Sequence, residues 1–101
     1  MRNLIHPAAR IGEGALVHPG ASIGEHAIVS PYAVVAHGAV VERYALLGEG
    51  AIVGRKSRIG ERALVGRYAV VREDAIVGPY AAIAPYGVVV GVYSTSTWGG
   101  E

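Results

Sequence analysis

The chain has no cysteine. That excludes a disulfide framework and any thiolate metal site, and it leads us to expect a reducing, cytoplasmic setting. Charge of one sign is also missing: nine Lys and Arg stand against eight Asp and Glu, a net +1. Nothing in that balance attracts nucleic acid, so no nucleic-acid partner is expected. The opening Met1-Arg2-Asn3-Leu4 lacks the long apolar core of a secretory signal. Ala75 to Gly100 carries no charge at all, yet Pro79, Pro85 and several glycines interrupt it. A membrane helix is a poor reading of such a stretch, and no membrane partner is expected. With 51% hydrophobic residues the chain is not disordered, and its 101 residues make one domain at most.

What the sequence does have is a repeat of six. Every sixth residue from Ile5 to Val89 is aliphatic without a gap, as in Ile5, Ile11, Val17 and Ile23. Four residues after each comes a second slot, Ala9 to Gly87, which is Ala throughout save Ser57 and Gly87. A period of six keeps no face of a helix apolar. Within each unit the two slots lie two residues apart, as Ala27 and Val29 do, with one residue between them pointing outward. That is strand alternation over a short run. The remaining three, such as Gly24-Glu25-His26, have turn composition, and Gly recurs where a positive φ is expected. A strand and a turn every six residues predict a polygonal coil whose stacked turns pair parallel strands around a thin aliphatic core.

Ile11-Gly12-Glu13-Gly14-Ala15-Leu16, Ile23-Gly24-Glu25-His26-Ala27-Ile28 and Ile59-Gly60-Glu61-Arg62-Ala63-Leu64 follow the pattern aliphatic–Gly–x–x–small–x. Over residues 5–92 the chain therefore resembles the hexapeptide-repeat acyltransferase superfamily. Its opening, through Val17-His18-Pro19-Gly20 to Ser30-Pro31-Tyr32, looks like the first coils of UDP-N-acetylglucosamine acyltransferases. Pro85-Tyr86-Gly87-Val88-Val89-Val90-Gly91-Val92 is similar to the segment that closes many acetyltransferase helices. The resemblance implies an all-β, left-handed parallel β-helix of about five triangular coils, three hexapeptides each, in residues 1–92. Residues 93–101 are left as a cap or tail. The repeat fails at Tyr93 and Thr95, so Tyr93 and Trp98 are expected to close the open end of the core.

Three hexapeptides per coil place residues eighteen apart on top of one another. One face then carries Arg10, Ile28, Leu46, Leu64 and Ala82 outward, and the next Leu16, Val34, Ile52, Val70 and Val88. The third is mixed: Ser22, Val40, Arg58, Ile76 and Ser94. The first two are apolar stripes, and Leu16, Ile28, Val34, Leu46, Ile52, Leu64, Val70 and Val88 are interface candidates. Two different apolar faces suit a cyclic trimer, the usual state in the superfamily. In the turns, Glu25, Arg43 and Glu61 share one corner, Glu49 and Arg67 another, and Arg55 and Glu73 the third. The alternating signs set register. Tyr32, Tyr68 and Tyr86 share one corner, and Tyr44 and Tyr80 a second, where they cover turn backbone.

Of the four histidines, His37 in Val35-Ala36-His37-Gly38-Ala39 best fits proton transfer. The superfamily's catalytic unit reads aliphatic–Ala–His–(Asp or Asn)–small, its His acting as general base. His37 matches in register and departs at Gly38. Arg55 is expected to stack on it. Arg55, Lys56, Arg58 and Arg72 form a basic corner that could take the phosphates of coenzyme A. The histidine spacings of 12, 8 and 11 do not match the zinc signature of the related γ-carbonic anhydrases, so no metal and no resident cofactor is expected.

The superfamily's enzymes interrupt their coils with a substrate-clamping loop, which this sequence lacks. The uniform Ala slot also suggests an idealised, consensus-like or engineered member. The residues thus read first as a β-helical scaffold that self-associates through apolar faces and has no catalysis of its own. The alternative is a minimal acyltransferase that moves an acyl group from acyl-CoA or acyl carrier protein to a sugar hydroxyl or amine, with His37 as base.

Overall fold

The computed structural model describes residues 4–94 and contains strands and turns only. Strands of two residues recur every six. Face A stacks β1 (Leu4–Ile5), β4 (Ser22–Ile23), β7 (Val40–Val41), β10 (Arg58–Ile59), β13 (Ile76–Val77) and β16 (Val92–Tyr93). Face B stacks β2 (Arg10–Ile11), β5 (Ile28–Val29), β8 (Leu46–Leu47), β11 (Leu64–Val65) and β14 (Ala82–Ile83). Face C stacks β3 (Leu16–Val17), β6 (Val34–Val35), β9 (Ile52–Val53), β12 (Val70–Val71) and β15 (Val88–Val89). The chain visits A, B and C in turn, so the molecule is a three-sided parallel β-solenoid of about five coils.

Pairing follows the eighteen-residue coil: Ile28 lies against Leu46, Ile52 against Val70, and Ser22 against Val40. The first of each strand pair faces out and the second faces in. Inward Val29, Val35, Val53 and Ile59 are at most 1% exposed. The small slot explains its own uniformity. Ala21, Ala27, Ala33, Ala39, Ala51 and Ala69 are each 0% exposed, tight against the axis of the prism, where a longer side chain has no volume to enter. Ser57 fits the same space because its Oγ donates to the Gly54 carbonyl at 2.6 Å.

Each turn closes with a hydrogen bond such as Ala27 N–H to Gly24 C=O at 3.2 Å. The residue before the slot takes the positive φ of a type II turn. It is not the motif glycine. His26, Tyr44, Lys56, Arg62 and Asp74 hold φ between 59 and 62°. The N–H groups of Tyr44, Lys56, Arg62 and Asp74 donate to the coil below, as Tyr44 does to the Glu25 carbonyl at 2.9 Å. The motif glycine serves a different purpose. A Cβ on Gly48 would lie 2.5 Å from the Arg67 nitrogen, so Gly is there to let successive corners approach.

The last coil departs from the repeat. Ile76 pairs with Val92 and Val77 with Tyr93, because only Val90 and Gly91 separate β15 from β16. Val92, rather than Ser94, therefore takes the outward position above Ile76. Tyr93 enters the inward position instead of the small slot, and its hydroxyl donates to the Ala82 carbonyl at 3.2 Å. Beneath it Ile83 and Val89 are only 5% and 4% exposed, while Ile5 and Ile11 at the opposite end are each 38% exposed. Thr95 and Trp98 lie outside the described residues.

Candidate functional site

The corner between faces C and A gathers three of the four basic candidates beside His37. It is built from the turns 18–21, 36–39, 54–57 and 72–75, so His37, Arg55 with Lys56, and Arg72 occupy three successive coils. Lys56 N–H donates to the His37 carbonyl at 3.0 Å and Asp74 N–H to the Arg55 carbonyl at 2.9 Å, which fixes the stacking. Arg55, Lys56 and Arg72 form no ion pair among the described residues. Glu73, stacked above Arg55, forms none either, and the same holds for Glu49 with Arg67 in the corner between B and C. Arg58 leaves the cluster. It stands outward on face A with its Nε 2.9 Å from Glu42 Oε2.

The His37 ring turns to the coil below rather than to Arg55. Its Nδ1 lies 2.7 Å from the Pro19 carbonyl oxygen. A carbonyl can only accept, so Nδ1 carries the proton and the neutral ring keeps its lone pair on exposed Nε2. His6 shows the opposite arrangement. Its Nδ1 accepts from Ala8 N–H at 3.0 Å, which leaves the proton of a neutral ring on Nε2. Of these two histidines, only His37 presents a base to solvent. The Pro19 contact was within reach of the sequence, since Pro19 and His37 are one coil apart.

The opposite edge of face A carries a feature the sequence reading missed. An open groove of about 860 Å³ runs over outward Leu4, Ser22 and Val40 and ends on His6, Glu25, Glu42, Arg43 and Glu61. It begins three residues downstream of His37, at Val40. The corner charges form its wall: Arg43 lies 3.7 Å from Glu61, as the alternating ladder predicts, and Glu25 is 3.6 Å from His26. Its volume falls within the range of small-molecule sites. No local motif marks it, because its lining comes from four successive coils, from Leu4 to Glu61.

The interface candidates stand where the eighteen-residue coil puts them: Ile28, Leu46 and Leu64 on face B, and Leu16, Val34, Ile52, Val70 and Val88 on face C. Leu16 and Val88 are more than half exposed, while Val34, Leu46 and Val70 are half-buried between neighbouring coils. Among the described residues no three metal-ligating side chains converge, and no helix is long and apolar enough to cross a membrane.

A family model described as the GMPPB C-terminal domain matches residues 1–94. Among solved structures, PerB from Caulobacter crescentus, in complex with CoA and GDP-perosamine, is 30% identical and has a TM-score of 0.55. The alignment covers 93% of this chain and 48% of PerB. The acetyltransferase domain of PglB from Neisseria gonorrhoeae, in complex with acetyl coenzyme A, is 22% identical (TM-score 0.58; 92% of this chain and 48% of that one). A hexapeptide-repeat-containing acetyltransferase from Vibrio cholerae, also complexed with acetyl coenzyme A, is 16% identical with a TM-score of 0.79. Here 98% of this chain and 66% of that one are covered. At the two lower identities the likeness is one of fold. The chain spans about half the length of PerB and of the PglB domain. Among curated protein sequences, none matches.

Proposed function

Since this chain belongs to the GMPPB C-terminal domain family and shares the coil of hexapeptide-repeat acetyltransferases, we propose that it transfers an acyl group from acyl-CoA to a hydroxyl or amine, with the corner between faces C and A as its site. The observation that carries this reading is the His37–Pro19 contact at 2.7 Å, which holds the ring in the tautomer a general base needs. The acceptor lies along face A from the groove toward His37. Its O–H or N–H gives its proton to Nε2 as the oxygen or nitrogen attacks the thioester carbonyl. The C–S bond then breaks and coenzyme A leaves as the thiolate. Arg55, Lys56 and Arg72, free of carboxylate partners, hold the donor's phosphates. The coils wind left-handed, as the resemblance implies, with residues 1–92 as the repeat and 93–101 as its cap.

The scaffold reading rests on the unbroken coils and the uniform Ala slot. The burial of the slot from Ala21 to Ala81 supplies a packing reason for that uniformity without an engineered origin. The likeness to PerB, at 30% identity and in complex with CoA, favours the chemical reading. The test is release of free CoA thiol from acetyl-CoA in the presence of amino sugars, including the nucleotide-linked GDP-perosamine. Turnover that falls about 100-fold or more in His37→Ala, with the fold intact, supports the reading. Turnover absent with every acceptor, or unchanged in His37→Ala, refutes it.

A further inference from the structure

The corner between faces B and C carries a ladder of tyrosines with a rung missing. At the equivalent position of its successive turns stand Gly14, Tyr32, Gly50, Tyr68 and Tyr86, all with φ between 58 and 75°. Tyr86 stacks on Tyr68, with ring centroids 5.5 Å apart and planes 15° from parallel. Tyr32 and Tyr68 each lie over the glycine of the coil below, in the same pose. A Cβ on Gly14 would stand 2.6 and 2.7 Å from Cε1 and Cδ1 of Tyr32, and one on Gly50 would stand 2.6 and 2.7 Å from the same atoms of Tyr68. The two rings are therefore parallel and two coils apart, roughly 10 Å at the spacing of paired strands, with Gly50 in the turn between them. Tyr32 is 61% exposed against 48% for Tyr68, whose far side Tyr86 covers. The ladder on the other edge of face B has no such gap. There Tyr44 stacks on His26 at 5.1 Å, and the next coil sets the Arg62 guanidinium 4.4 Å over Tyr44.

We propose that this gap binds a purine nucleotide, with the base held between Tyr32 and Tyr68. A ring placed midway stands about 5 Å from each tyrosine, within the range of stacked aromatic pairs. A gap one flat ring thick suits a nucleobase and not the puckered ring of a sugar. Charge names the rest of the ligand. Glu49 precedes Gly50 in its turn, and Arg67 precedes Tyr68 one coil above. Neither forms an ion pair among the described residues. The Arg67 guanidinium offers paired donors that match a phosphate. The Glu49 carboxylate accepts only, which suits the amino group that adenine and guanine both carry. The site lies across face C from His37, and its occupancy does not depend on acyl transfer.

The test is calorimetric titration of the purified chain with AMP and with GMP, and with UMP as comparator. At least one purine nucleotide should bind, and the tighter of the two names the base the site selects. UMP, with a single ring and no amino group, should bind about tenfold more weakly. Tyr32→Leu should weaken the purine nucleotide about tenfold, the share that stacking on one aromatic ring carries. Tyr80→Leu, on the other edge of face B, should leave it unchanged. Arg67→Gln should weaken the monophosphate and spare the free nucleoside. A second readout keeps the ring: the emission of Tyr32→Trp should be quenched by the stacked base, and that of Tyr80→Trp should not. Absence of binding by both purine nucleotides, equal binding of UMP, or unchanged affinity in Tyr32→Leu would each overturn the inference. If Tyr32→Leu does not fold, the quenching of Tyr32→Trp decides.

Discussion

At the residue scale, two kinds of glycine do different work, and substitutions should separate them. Gly38 holds φ +74°, but an added Cβ would meet nothing closer than the flexible Lys56 Cγ at 3.2 Å, with the Lys56 backbone at ordinary contact distance. Gly48 has an ordinary φ, yet its Cβ would lie 2.5 Å from the Arg67 nitrogen and 2.7 Å from the Gly66 carbonyl carbon, both backbone. Gly38→Ala should cost about 1 kcal/mol of left-handed strain. Gly48→Ala should cost more, about 1–3 kcal/mol of overpacking, because two coils must separate. Thermal or urea unfolding of the two variants checks the order. The reverse order would mean that turn strain, rather than coil spacing, governs the corner. Composition located the turns and matched glycine to a positive φ at Gly14, Gly20, Gly38 and Gly50, but not at motif positions such as Gly24. Elsewhere side chains such as Tyr and His occupy the left-handed position, and there the residue type does not announce it.

At the scale of the strand and coil, each unit contacts only its neighbours, and stability accumulates along the stack. Removing residues 46–63 deletes one whole coil. Tyr44-Ala45 then joins Leu64-Val65, and every remaining strand keeps its face. Removing residues 46–51 preserves the alternation of inward and outward residues but moves every later strand to the neighbouring face. Both deletions should retain a β circular-dichroism spectrum and melt at lower temperature than the full chain. Loss of the β spectrum in either would show that the coils do not stack as independent neighbours. The coil was legible in the sequence because two buried slots recur at a period no helix can share. The last coil was not. Counting by six placed Tyr93 in the small slot, whereas the two-residue link Val90-Gly91 advances it to the inward strand position, where its ring has room at the open end.

At the scale of the whole molecule, the prism divides its chemistry by side. Face B is apolar with aromatic edges, and the opposite corner holds His37 with the unpaired cations. The paired variant Arg55→Glu/Lys56→Glu should raise KM for acetyl-CoA about tenfold through lost phosphate contacts, with kcat little altered. Wild-type KM should also climb with salt, because these side chains are exposed and a Debye length of about 8 Å at physiological ionic strength screens them readily. In the Arg55→Glu/Lys56→Glu variant that salt dependence should flatten. If KM and its salt slope stay as in wild type, the donor does not use this corner. The groove on face A, with His6 and Arg43 on its wall, would then be the surface to probe next.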